Sequence, residues 1–85
     1  MTGRGTFYEF IKIGQVPKGN NRPHGLNYSF AYLSGTERVV GYDNAEGNGD
    51  HRHFMDREHP YKFQGLEKLW KNFKKDIQRF KEGKS

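Results

Sequence analysis

Two histidines one residue apart, His51 and His53, are the residues of this 85-residue chain best suited to chemistry. On a strand that spacing puts both imidazoles on one face, with Cα atoms about 7 Å apart. Histidine titrates near neutral pH, so one imidazole can accept a proton while the other gives one. A ribose 2′-hydroxyl and a leaving 5′-oxygen are groups that such a pair serves, and neither step needs a metal. The histidines end a polar run, Gly41-Tyr42-Asp43-Asn44-Ala45-Glu46-Gly47-Asn48-Gly49-Asp50-His51-Arg52-His53. Tyr42 can stack on a base or donate a proton, and Asp43 can orient an imidazole. Arg57 or Arg22 can neutralise a phosphate through bidentate contact. Arg52 falls on the opposite face of a regular strand, so it need not share the site.

The same residues admit other readings. His51, His53 and a carboxylate from Asp43, Asp50 or Glu46 would make a facial set for Zn²⁺, Mn²⁺ or Fe²⁺. Asp43-Asn44 can equally cap a turn through side-chain to backbone hydrogen bonds. Gly41, Gly47 and Gly49 then simply permit the bends.

The elements that must position these groups follow from pattern. Thr6–Val16 alternates as a strand with apolar residues on both faces, which predicts substantial burial of both. Pro17–Gly25 reads as a basic loop, in which Lys18, Arg22 and His24 can clamp a substrate backbone. Asn27–Leu33 and Arg38–Asp43 flank the turn Ser34–Glu37 and predict a β-hairpin. Tyr28, Phe30 and Tyr32 share one face of it. They resemble an RNA-stacking platform, but a covering helix would make them core, which is the expected role. Asn44–Asp50 reads as a glycine-rich loop and His51–Met55 as a further strand. Asp56–Pro60 should break that strand, with extended structure resuming at Tyr61–Phe63.

Gly65–Lys81 predicts an amphipathic helix with the apolar stripe Leu66, Leu69, Trp70, Phe73, Ile77 and Phe80. Glu67 near its start and Arg79, Lys81 and Lys84 near its end suit the helix dipole, and Gly83 is a fitting stop. Lys68, Lys71, Lys74 and Lys75 fall on the polar side. They read as a solvated face that can also follow phosphates. The expected fold is therefore α+β: an antiparallel sheet of three to four strands with one long C-terminal amphipathic helix on one face, in a single domain over 1–85.

Composition bounds the function. Thirteen residues are Phe, Tyr or Trp, enough to build a compact core despite a hydrophobic fraction of only 32%. No cysteine is present, which excludes disulfides and thiolate metal sites. The net charge of +5 favours acidic partners such as RNA. No apolar run approaches the roughly 20 residues that span a bilayer, and Met1–Thr6 carries no signal-peptide core. A cytoplasmic protein without a membrane partner or a cofactor is the expectation, with homodimerisation as a further one.

The run Gly41–Phe54 resembles the TumE family when taken with Arg57-Glu58-x-Pro60-Tyr61-x-Phe63 and the terminal amphipathic helix. Arg22-Pro23-His24-Gly25-Leu26-Asn27-Tyr28-Ser29 fits the family's lead-in to its first hairpin. The resemblance covers roughly Val16–Phe80. The family pattern often has His at the position of Glu46, which weighs against a mechanism needing three imidazoles. The resemblance implies the toxin of a bacterial or archaeal toxin–antitoxin pair, partnered by a helix-turn-helix antitoxin. Small toxins of such pairs commonly act on RNA or translation. The resulting expectation is a metal-independent endoribonuclease, with His51 and His53 as acid and base. Arg57 would hold phosphate, and Tyr42 or Asp43 would orient. Two alternatives stand beside it. One is a non-catalytic RNA- or protein-binding module using the lysine face and the aromatic sheet. The other is a metal-dependent hydrolase using His51, His53 and Asp50.

Overall fold

A computed structural model describes residues 6–19, 25–44 and 49–83. Five strands, β1 (Phe7–Gln15), β2 (Leu26–Ser34), β3 (Glu37–Asp43), β4 (His51–Phe54) and β5 (Arg57–Pro60), form one antiparallel sheet in the order of the chain. The helix α1 (Leu66–Lys81) follows. The fold is α+β as expected, with one strand more than the upper count. The extra strand is β5, which occupies residues expected to break the sheet. Arg57 and Glu58 lie opposite Phe54 and His53, and Pro60 opposite His51. A proline is tolerated there because β5 is an edge strand and its missing N–H costs no ladder bond on the open side. Tyr61–Phe63 forms no strand. Tyr61 and Phe63 pack against the core instead, Phe63 stacking on Tyr28 at 5.4 Å.

The register divides the side chains between two faces, because alternate residues of a strand point to opposite sides. Tyr28, Phe30 and Tyr32 lie opposite Ile13, Ile11 and Glu9 of β1. Phe30 and Tyr32 also lie opposite Tyr42 and Val40 of β3. This face is the one α1 covers. Phe73 meets the Phe30 ring edge-on at 5.3 Å and the Tyr42 ring at 6.5 Å. Tyr28, Phe30 and Tyr32 are thus core rather than a stacking platform, each 6% exposed or less.

On α1 the buried residues are Leu69, Phe73, Asp76 and Ile77. Leu66 and Trp70, expected in the apolar stripe, are 37% and 42% exposed. The covered face is narrower than the hydrophobic one because a single helix meets the sheet along one line. The helix ends as its sequence implies: Gly83, at φ 75, donates its N–H to the Phe80 carbonyl.

The first strand departs most from expectation. All nine positions of β1 are exposed, although Phe7, Tyr8, Phe10, Ile11 and Ile13 are large and apolar. β1 pairs on one side with β2 and forms the other sheet edge, and the helix axis lies over β2 and β3. Only the margin of the helix reaches β1, through Phe7 against Phe80 and Glu9 against Lys74.

Two tight turns carry the hairpins. Gly35 takes φ 63 at the first position of the β2–β3 turn, where glycine is favoured. Met55 takes φ 58 at the equivalent position of the β4–β5 turn. The left-handed region costs a non-glycine residue about 1–2 kcal/mol. Met55→Gly is therefore expected to stabilise the chain by about 0.5–1 kcal/mol and raise its Tm by a few degrees, measured by thermal unfolding.

Candidate functional site

The uncovered face of the sheet gathers the groups with acid–base capacity. Register places Gly41 opposite His53 and Asp43 opposite His51. The two imidazoles share this face, as their spacing implies. His53 Nε2 lies 3.4 Å from Asp43 Oδ2, and His51 Nδ1 lies 3.0 Å from Glu58 Oε2. Each imidazole thus has one nitrogen beside a carboxylate and the other left for a ligand. Both are partly shielded, with side chains 25% (His51) and 20% (His53) exposed.

Arg38 completes the group. Its Nη1 donates to Asp43 Oδ2 at 3.0 Å, so one carboxylate oxygen serves both a guanidinium and an imidazole. A register shift creates this contact. Tyr32 lies opposite Val40 but Leu33 lies opposite Arg38, so Val39 is an extra residue on β3. The shift brings Arg38 to the side of Gly41 and Asp43. Gly41 leaves room for this arginine, since a Cβ would come within 2.8 Å of the Arg38 Cδ and displace the side chain. Arg38 and Glu58 were not among the expected site residues. A bulge leaves no mark in the sequence that would have revealed Arg38. A hairpin register from Phe54 to Arg57 would have revealed Glu58.

Tyr42 and Arg57 are not brought to the histidines. Tyr42 faces the helix and is 2% exposed, with its hydroxyl donating to Asp76 Oδ2. Burial, and then the Asp76 hydrogen bond, push the Tyr42 hydroxyl pKa well above its ordinary value. It is therefore no proton acceptor near neutral pH. Arg57 lies opposite Phe54, on the helix side of β5. Asp50, expected as a metal ligand in one reading, accepts a 2.6 Å hydrogen bond from the Tyr28 hydroxyl. Among the described residues, no group of three or more His, Asp or Glu side chains has an arrangement that could hold a metal ion. Arg22, His24 and Glu46 lie outside the described residues.

The lysine face of α1 is partly neutralised. Lys74 Nζ pairs with Glu9 Oε2 at 2.8 Å and lies 5.0 Å from the Trp70 ring centroid. Lys71 pairs with Glu67 at 3.4 Å. Lys68 lines a shallow groove with Gln64, Glu67 and Lys71, and Lys75 is exposed. Asn44, expected to cap a turn, instead ties the end of β3 to the β2 backbone from a fully buried position. Its side chain accepts from the Tyr28 N–H at 2.9 Å and donates to the Leu26 carbonyl at 2.8 Å.

Asp76 is the other residue that sequence reasoning missed. It is 5% exposed and accepts from both the Tyr42 hydroxyl and Arg52 Nε, the latter at 2.7 Å. The spacing of Leu69, Phe73, Asp76 and Phe80 places it on the apolar stripe, which was the available signal. The Asp76 hydrogen bond holds the Arg52 pKa above its ordinary value.

Three tyrosines give the fold a pH dependence. Burial is the main cause raising the hydroxyls of Tyr28, Tyr42 and Tyr61 above their ordinary 10.0. Above pH 10 the unfolded chain releases protons that the folded chain retains, so stability falls as pH rises. The contribution is complete below about pH 10. Denaturation midpoints are expected to hold level to about pH 9.5 and to fall steeply beyond it.

The architecture and the site together define a small α+β protein: a five-stranded meander backed by one helix, with an Arg–Asp–His cluster on its uncovered face. The chain belongs to the family described as Toxin TumE, which matches residues 6–81, nearly its whole length. No curated protein and no solved structure matches it. Among the described residues, no helix is long and apolar enough to cross a membrane.

Proposed function

We propose that this toxin acts by cleaving RNA, without a metal, through His51 and His53. The observation that carries the reading is the arrangement of both imidazoles on one face, with Glu58 beside the first and Asp43 and Arg38 beside the second. A neutral imidazole takes the proton from a ribose 2′-hydroxyl. The 2′-oxygen attacks the adjacent phosphorus, and the bond to the 5′-oxygen breaks. The other imidazole, protonated, supplies the proton that this oxygen needs to leave. The products are a 2′,3′-cyclic phosphate and a 5′-hydroxyl.

In this reading the carboxylates fix which nitrogen of each ring carries its proton. Asp43 holds the proton on His53 Nε2 and leaves Nδ1 for transfer. Glu58 does the converse at His51, holding Nδ1 and leaving Nε2. Arg38 takes the phosphate-neutralising part first expected of Arg57, because it shares the face with the imidazoles. Asp43 keeps the orienting part, and Tyr42 has none in the chemistry.

The partner that restrains the toxin is proposed to be a helix-turn-helix antitoxin, and the site of action the cytoplasm. The test is to incubate the purified protein with RNA and identify the new ends. Cyclic phosphates and 5′-hydroxyls, formed equally in the presence of a chelator, would support the reading. Cleavage abolished by the chelator and restored by a divalent ion would sink it. RNA retained without cleavage would favour a binding module.

A further inference from the structure

The other side of the β4–β5 hairpin carries a second set of cationic groups. Alternation places Arg52 and Phe54 of β4 beside Arg57 and His59 of β5, with Arg52 opposite His59 and Phe54 opposite Arg57. Arg79, in the last turn of α1, approaches from the helix side. Met55 and Asp56 of the turn complete the lining of a cavity of about 260 Å³.

One of the cationic side chains there is paired, and two have no carboxylate partner among the described residues. Arg52 uses Nε to donate to the buried Asp76 and to the Tyr42 hydroxyl, at 2.7 and 3.2 Å. Its terminal N–H groups meet no acceptor among the described residues. Arg57 and Arg79 have no ion-pair partner among the described residues. Among the described residues, Asp56 is the only carboxylate in the lining. Phe54, 5% exposed, provides a low-dielectric wall, and Arg52 lies 5.4 Å from its ring centroid. A guanidinium fixed by a buried carboxylate, beside two unpaired ones, presents several N–H donors to one small space. Phosphate oxygens are the acceptors that such forks match. The volume lies just below the roughly 300 Å³ at which ordinary small-molecule pockets begin. It suits a phosphate group and part of its sugar.

We propose that this cavity is a phosphate-binding site, separate from the histidine face. The phosphate comes either from an RNA backbone or from the end of a free nucleotide. The site does not depend on cleavage by the histidines.

The test uses the whole chain. Amide signals are followed by NMR while inorganic phosphate, uridine 5′-monophosphate or a dodecauridylate is added. Affinity for the fluorescein-labelled dodecamer is measured in parallel. Saturable shifts are expected at Phe54–His59 and Arg79. Arg57→Ala/Arg79→Ala should remove them and weaken binding about tenfold or more. In His51→Ala/His53→Ala the shifts that inorganic phosphate causes at Arg57, His59 and Arg79 should persist even where affinity for RNA falls, which separates this site from the proposed cleavage. Competition by the monophosphate assigns a terminal phosphate. Binding of the dodecamer alone, weakening with salt, assigns a backbone phosphate. The proposal is overturned if no ligand shifts these signals, or if the double arginine variant, folded by circular dichroism, binds as the wild type.

Discussion

His53→Ala is expected to lower RNA cleavage by about 10²–10⁴-fold while leaving the fold intact. The size follows from what is lost. The variant keeps Arg38 and the sheet that would receive the phosphate, but it has no group at that position to move a proton. The fold should survive because His53 lies on the uncovered face, outside the buried aromatic cluster. Asp43→Asn should cost less, about tenfold, since it loosens both His53 and Arg38 without removing either. The measurement is single-turnover cleavage with purified protein, alongside growth of cells in which each variant is induced. A His53→Ala protein that cleaves and poisons as the wild type would end the acid–base proposal. So would a loss of activity matched by a loss of helical signal, because the effect would then be structural.

The largest stability effect should come from Asp76→Ala, at about 3 kcal/mol. Truncation leaves the Arg52 guanidinium without its carboxylate and the buried Tyr42 hydroxyl without its acceptor. Chains of this size are stable by only about 4–13 kcal/mol, so the loss is a large share. Asp76→Asn keeps an acceptor but not the charge, and should fall between. Urea midpoints at constant m would measure both. A double change, Arg52→Met with Asp76→Leu, should recover much of the stability, because well-packed apolar side chains often replace a buried ion pair without loss. It should also weaken phosphate binding at the neighbouring cavity. A cost below about 1 kcal/mol for Asp76→Ala would mean that water replaces the carboxylate, as at exposed pairs.

How far the sequence revealed this arrangement differs from one element to the next. The β2–β3 hairpin and α1 were legible because their periods persist over many residues and end on glycine signals. β5 was not, since Arg57-Glu58-His59-Pro60 has neither strand composition nor apolar alternation. It exists because β4 offers it an edge and a tight turn. The exposure of β1 was hidden for a related reason. Its residues are apolar on both sides, and burial depends on how far a single helix reaches, which no local pattern records. The site was half legible. His51 and His53 share a face by period alone. Tyr42 and Asp43 are adjacent on one strand, so only one of them can join the histidines. Choosing between them needed the pairing of Asp43 with His51. Arg38 needed the bulge at Val39, a tertiary detail without local signature.

The two-sidedness of β4 sets how this protein can change without failing. Four consecutive residues alternate between imidazoles on one side and a half-buried guanidinium and a buried phenyl ring on the other. Single substitutions can therefore retune either side almost independently. A slip of one residue in the pairing of β4 with β3 would exchange the sides at once, placing imidazoles against Phe73 and Asp76 and leaving Phe54 in water. A slip of two would preserve the sides but move His51 and His53 away from their partners. Point changes are therefore the open route for adapting this strand, and length changes between Asp43 and His51 must leave its register untouched.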